Sequence, residues 1–262
     1  MSAKLPALLL FLILTLLSAC GSETAATITP VPPTATTALL PTVTPTANPT
    51  PTPAMPQGWE SRWLRGIPCA PPCWEGVTPG ITSVETAQGV WSKNSLFSQV
   101  SPPSATFPTL GFVSWKWSNG IKGGQAEYNP ENPQKPILRI SPRYSNSFKL
   151  ANIISAYGDP SHVIASPPLN PDMNGPRILG YYVEFVYIKQ GFSISVISPN
   201  IPNLNKEIVL DNLVFFESGL DKIDKNTFRP EALVEWQGFK DYRFYCRRES
   251  MSGWHDCSDV LP

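Results

Sequence analysis

Charge is the first thing this chain is short of. Charged side chains make up 15% of its 262 residues, against roughly a quarter in an ordinary soluble domain. The twenty basic and twenty acidic groups cancel, so no long-range field draws the chain to nucleic acid or to an anionic membrane surface. Histidine is scarcer still, with only His162 and His255. A Gly-x-Ser-x-Gly elbow, a Walker loop, a Gly-x-Gly-x-x-Gly turn and a His-Glu-x-x-His helix are all missing, which removes the common signatures of hydrolase, nucleotide and zinc-protease chemistry. The apolar run at residues 8–17, broken only by Thr15, falls well short of the ~20 residues that cross a bilayer stably.

That run makes sense as the core of a signal peptide. Lys4 supplies the positive region before it, and Ser18 and Ala19 are small residues just ahead of Cys20. The order Leu17-Ser18-Ala19-Cys20 resembles the lipobox of bacterial lipoproteins. The resemblance implies cleavage after residue 19, diacylation of the Cys20 thiol and often acylation of the new amine. Two or three such chains give stable anchoring, at about 0.8 kcal/mol per buried methylene. It therefore implies a palmitate-type lipid anchor, with the membrane as a partner. The address is the extracytoplasmic face of the cell membrane, or the outer membrane where the source has one. An ordinary secretory signal with a chance cysteine is the plainer alternative.

Residues 20–57 read as a lipidated cysteine followed by a disordered Thr/Pro-rich tether. Nine of the thirty prolines fall between residues 21 and 57, alternating with threonines, and Glu23 is the only charged residue there. Such a segment has no apolar face to offset its ordering entropy. Proline stiffens it toward polyproline II, at about 3.1 Å per residue, so it is expected to hold the globular part (residues 58–262) away from the membrane. Its threonines offer glycosylation sites.

Cysteine usage agrees with an oxidising compartment. With Cys20 lipidated, Cys69, Cys73, Cys246 and Cys257 form an even set. The local pairing Cys69–Cys73 with Cys246–Cys257 is favoured because loop closure costs least there. The crossed pairings, which would staple the two ends of the globular part together, stay open. A zinc site is the sharper reading, but Cys-x3-Cys and a distant Cys-x10-Cys lack the usual ligand spacing. No metal or other cofactor is expected.

The globular part predicts α+β architecture. Thr82-Ser83-Val84-Glu85 has capping-box form, with Thr82 as N-cap, and opens a helix over residues 83–92. A Pro-rich loop leads to a strand at 110–117. Asn119-Gly120 signals a two-residue hairpin turn in which both positions need positive φ. The return strand 121–128 is weakened by Gly123-Gly124, and 137–140 makes a third. The order repeats about 66 residues later, from Val84 to Leu150. A helix at 148–157 ends on Gly158, and strands follow at 162–165, 178–188, 192–197 and 208–216. The 178–188 strand is apolar on both faces apart from Glu184, so it is expected to be central. Pro230 opens a short helix to 236. The expectation is two helix-plus-antiparallel-hairpin units, about 69–142 and 143–217, and a disulfide-pinned tail at 218–262. The helices pack on one face of an antiparallel sheet.

Two segments resemble known groups. Gly76 to Glu85 looks like the helix entry of BamE/SmpA-type lipoproteins and of the beta-lactamase inhibitor protein. Residues 154–160, ending Gly158-Asp159-Pro160, look like the exit of the same unit. The first unit has the entry without the exit, and the second the reverse. The resemblance implies a protein partner recognised on the open sheet face. Pro68 to Gly76, with its Pro-Cys-x3-Cys-Trp-x-Gly order, also resembles a lead-in of Thr/Pro-tethered bacterial lipoproteins.

Reactive groups are few. His162 follows a turn and suits a strand edge better than a general base. His255 adjoins Cys257, but a disulfide sulfur is no nucleophile. Asp221, Asp224 and Glu231 have the spacing of a solvated turn, not of a calcium loop, and Asp211 fits an edge. The expectation is a non-enzymatic module that binds a protein or an envelope component. The rival readings are a carbohydrate or cell-wall binder stacking sugars on Trp115 and Trp117, which share a strand face, and an unrecognised hydrolase. The bland reading of both rings is core.

Overall fold

Period-two alternation of apolar and polar residues recurs along the chain beyond residue 96, and it builds one large sheet beside two small two-stranded ones. The computed structural model describes residues 59–143, 148–168, 180–222, 230–250 and 253–257. In chain order these form α1 (Trp59–Leu64), α2 (Val84–Ser92), β1 (Phe97–Val100), β2 (Ser104–Phe107), β3 (Leu110–Trp117), β4 (Lys122–Tyr128), β5 (Ile137–Pro142) and β6 (Phe148–Lys149). There follow α3 (Leu150–Tyr157), β7 (His162–Ser166), β8 (Tyr181–Tyr187), β9 (Phe192–Ser198), β10 (Val209–Leu210), β11 (Asn212–Phe216) and β12 (Val234–Glu235). The described tail adds α4 (Tyr242–Tyr245), β13 (Arg247–Ser250) and β14 (Gly253–Asp256).

Ten strands form one antiparallel sheet in the order β1-β3-β4-β5-β11-β9-β8-β7-β12, with β2 beside β3. The expected α+β fold of two helix-plus-hairpin units is therefore wrong. The described chain is mostly β, 40% strand and 19% helix, with four short helices. The two halves merge where β5 and β11 pair, Ile140 opposite Phe215 and Arg139 opposite Phe216. Strand content is also higher than expected. The Pro-rich stretch after α2 supplies β1 and β2, both paired to β3 and separated by Pro102-Pro103. At a sheet edge a missing N–H breaks no ladder bond, so two prolines are tolerated there.

Local signals were mostly in place, with shifts of detail. Helix α2 is capped by Ser83, whose hydroxyl accepts from the Thr86 N–H at 3.2 Å. Thr82 instead accepts from the Thr78 N–H at 2.9 Å and so belongs to the preceding loop. The Asn119-Gly120 turn has one positive φ, at Gly120 (80°). The Gly120 N–H donates to Trp117 O and the Trp117 N–H to Ile121 O, both at 2.8 Å, which makes a three-residue loop. The short helix expected from Pro230 stops as a 3₁₀ turn at Ala232. Val234 and Glu235 leave it to pair with Val163 and His162.

The inward face of the sheet carries Val113, Trp115, Ala126, Ile140, Phe192, Ile194, Phe185 and Phe215, all buried in one core with α2 and α3. Helix α1 and the lead-in behind it fill the space between those helices. Trp63 makes edge contacts with Phe148, Phe192 and Phe215 at 5.3–5.7 Å. Trp74 lies 5.1 Å from Trp115, and Trp91 lies 4.9 Å from it. The lead-in is closed by the Cys69–Cys73 disulfide and the tail by Cys246–Cys257, the two local pairings.

Gly123 and Gly124 are the floor on which Trp115 rests. A Cβ on Gly124 would stand 2.6 Å from Trp115 Cζ2 and 2.9 Å from Pro142 Cα, at a φ of +146° that L side chains avoid. Gly124→Ala is expected to destabilise the protein by about 3 kcal/mol or more in urea titration. Gly89, inside α2 with nothing within 4 Å of its would-be Cβ, should instead stabilise by about 0.5–1 kcal/mol as Gly89→Ala.

Candidate functional site

The outward face of the sheet holds a row of polar side chains that the strand register brings together. On β3, β4 and β5, Phe112, Glu127 and Arg139 stand side by side, as do Ser114, Gln125 and Ser141. All six are half-buried. An Arg139 Nη2 donates to Glu127 Oε1 at 2.7 Å, while the Arg139 Nε is buried with no hydrogen-bond partner among the described residues. Across the β5–β11 seam Arg139 stands opposite the buried Phe216, and a second polar stretch runs through Asn212, Ser195 and Glu184.

Glu184 is the centre of that second stretch, 6% exposed. Tyr182 donates its hydroxyl proton to one carboxylate oxygen at 2.6 Å, and Ser193 to the other at 2.5 Å. Burial pushes the Glu184 carboxyl above its ordinary value, while the two hydroxyls and the Arg139 charge pull it back. The Tyr182 phenol is pushed well up, by burial first and then by the neighbouring carboxylate. Ser193 has no exposed surface, so this hydroxyl–carboxylate pair is closed to a substrate. The cover is a small second core of Ile164, Val186, Ile188, Phe216 and Ala232, with Tyr182 and Leu233 packed on it. Both faces of β8 are thus occupied. It is an internal strand but one near the β12 edge, where a central place was expected.

Trp115 is 2% exposed and offers no ring face to a sugar. Trp117 is half-buried, stacked with Trp59 at 5.7 Å and with Phe97 at 5.6 Å, and its indole N–H donates to Arg143 O at 3.1 Å. The core reading of both rings is the one the structure has. His162 is half-buried, its Nδ1 without a partner among the described residues, and desolvation lowers its pKa against the pull of Glu235. Asp211, Asp221 and Glu231 are exposed. Cys20 and Asp224 lie outside the described residues, as does the side chain of His255. With four cysteines in disulfides, their sulfurs are not available as thiolate ligands. Among the described residues no three or more His, Cys, Asp or Glu side chains gather into a metal site. The one sequence signal for the polar centre was Glu184 itself, the lone acid in an apolar strand.

No family model matches the chain, and neither a curated protein nor a solved structure resembles it at a significant level.

Glu184 sets a pH dependence with a definite sign. Its folded pKa lies above the ordinary 4.5. Its contribution is therefore fully present below about pH 4.5 and is lost as pH rises through the folded value. Wild type should lose stability relative to Glu184→Gln as pH climbs from 4.5 toward neutrality. Parallel urea titrations of the two proteins would check this, and a constant difference would count against it.

Proposed function

We propose that this chain is a lipid-anchored, extracytoplasmic, non-enzymatic protein whose outward sheet face on β3–β5 binds a protein or another envelope component. The observation that carries the binding face is the contrast between its two halves. Over β7, β8 and the start of β9 the outward face is covered by a small apolar core. Over β3–β5 it carries half-exposed polar side chains around the Arg139–Glu127 pair. A rigid antiparallel platform with a fixed ion pair suits recognition by complementary charge, which gives specificity more than raw affinity. The likeness of residues 76–85 and 154–160 to BamE/SmpA-type and inhibitor-type domains, where a sheet face contacts protein, supports the same reading. The anchor rests on the Leu-Ser-Ala-Cys order at residues 17–20.

The two parts are tested separately. Labelled palmitate should enter the wild-type chain and not Cys20→Ser; equal incorporation would remove the anchor. A photo-crosslinker at Gln125 should give a discrete adduct in intact cells that Arg139→Glu reduces at least tenfold, equivalent to about 1.4 kcal/mol. The same probe at Gly89, on the helical side, should not give it. Adducts that ignore the charge reversal would overturn the face.

A further inference from the structure

Among the described residues, an exposed group of aromatic rings in mutual contact lies in the tail. Trp236, Phe239, Phe244 and Tyr245 form one contiguous group. Trp236 stacks on Tyr245 at 5.7 Å and 9°, Phe239 stands edge-on to Trp236 at 5.3 Å, and Phe244 edge-on to Tyr245 at 5.0 Å. Tyr245 is buried and Trp236 half-buried, but Phe239 is 40% and Phe244 47% exposed. Single exposed apolar residues are ordinary; two phenylalanines on a shared aromatic base form a patch.

The patch is held in place. The Tyr245 hydroxyl donates to Gly238 O at 2.7 Å and accepts from the Gln237 N–H at 2.8 Å. Cys246, next in the chain, is disulfide-bonded to Cys257 and bridges to Ala165 of β7. The two phenyl rings are thus kept at the surface on a pinned loop.

Cations flank them. Lys240 follows Phe239, Arg243 precedes Phe244, and both are exposed. The Arg247 guanidinium donates to Cys246 O at 2.8 Å and to Phe244 O at 3.4 Å, which holds it beside the second ring. From residue 235 to 248 the chain carries four cations, Lys240, Arg243, Arg247 and Arg248, against two acids, Glu235 and Asp241, and Asp241 Oδ1 accepts from the Arg243 N–H at 2.9 Å. Glu235 stands opposite His162 in the β12–β7 ladder and Asp256 opposite Arg247 in the β13–β14 ladder, so the excess of positive charge lies nearest the two rings. In a chain of zero net charge, this is a local cationic rim around protruding apolar rings.

We propose that this rim is a membrane-docking surface that inserts Phe239 and Phe244 at the boundary of an anionic phospholipid bilayer. Apolar rings beside Lys and Arg are the composition of interfacial anchors, and each cation near an anionic surface adds to the attraction. The inference rests on the anchor of the proposed function for its geometry. Residues 21–57 allow a contour of up to about 3.5 Å each, on the order of 130 Å. The sheet is only on the order of 45 Å wide at ~4.8 Å per strand, so its β12 side can return to the membrane that holds the N-terminus.

The test uses the full lipidated chain on phosphatidylcholine vesicles and on mixed phosphatidylglycerol–phosphatidylcholine vesicles. Flotation with the neutral vesicles reports the anchor. Amide hydrogen exchange across residues 236–248 reports docking. Exchange should slow on the anionic vesicles only, recover at high salt, and stay fast in the surface variants Phe239→Ser/Phe244→Ser and Lys240→Glu/Arg243→Glu. Equal exchange on both vesicle types, or slowing that persists in the double serine variant, would overturn the docking. Failure to float on neutral vesicles would overturn the anchor alone, with docking still read from added anionic vesicles.

Discussion

The stacking of indole rings on bare strand backbone is the contact from which this fold is organised. Trp115 can lie flat against β4 only because residues 123 and 124 lack side chains. With that ring down, Trp74 and Trp91 close over it within 5.8 Å of each other, and the lead-in and α2 are fixed to the sheet together. Each aromatic pair of this kind contributes about 0.5–1.5 kcal/mol beyond its area burial. There is a cost. The indole N–H groups of Trp63, Trp74, Trp91 and Trp115 are buried with no oxygen or nitrogen partner among the described residues, and neighbouring rings accept such groups only weakly. A core that tolerates four of them is held by packing more than by polar satisfaction.

That constraint explains what the sequence hid. Gly123-Gly124 reads as a weakness in a strand, because glycine costs entropy and fills no space. Its meaning depends on a tryptophan eight residues earlier in the chain, across a hairpin, and local pattern does not report that. The pairing of β5 with β11 is likewise a contact between residues some 75 positions apart, as for Ile140 and Phe215. Strand positions at 110–117 and 192–197 were legible from alternation alone. What periodicity could not say was that both sets of strands share one sheet, so a mainly β fold looked like two mixed units.

The candidate sites divide in the same way. Alternation on 110–117 correctly put Trp115 and Trp117 on a shared face, yet it has no means of telling an inward face from an outward one when both carry apolar residues. The helices decide it: α2 lies over Trp115 through Trp91. Glu184 was visible as an anomaly, and its two hydroxyl partners at residues 182 and 193 followed only once the β8–β9 register was fixed. The tail was least legible, since Pro230 suggested a helix that edge pairing overrode at Val234.

The polar centre and the aromatic rim obey opposite rules, and the contrast bears on which surfaces are free to act. A buried carboxylate is tolerated when donors fix it, and Glu184 has two; such a group specifies register and ties β8 to β9, as a polar core residue can. Phe239 and Phe244 pack edge-on against Trp236 and Tyr245 but leave 40% and 47% of their surface in water. Tyr245 and Cys246 beside them are fully buried, and Cys246 is cross-linked to Cys257, so the loop is anchored without the exposed part of either ring. Fixed donors thus account for the acid, while the outer part of the two rings has no partner within the described fold and faces outward from the body.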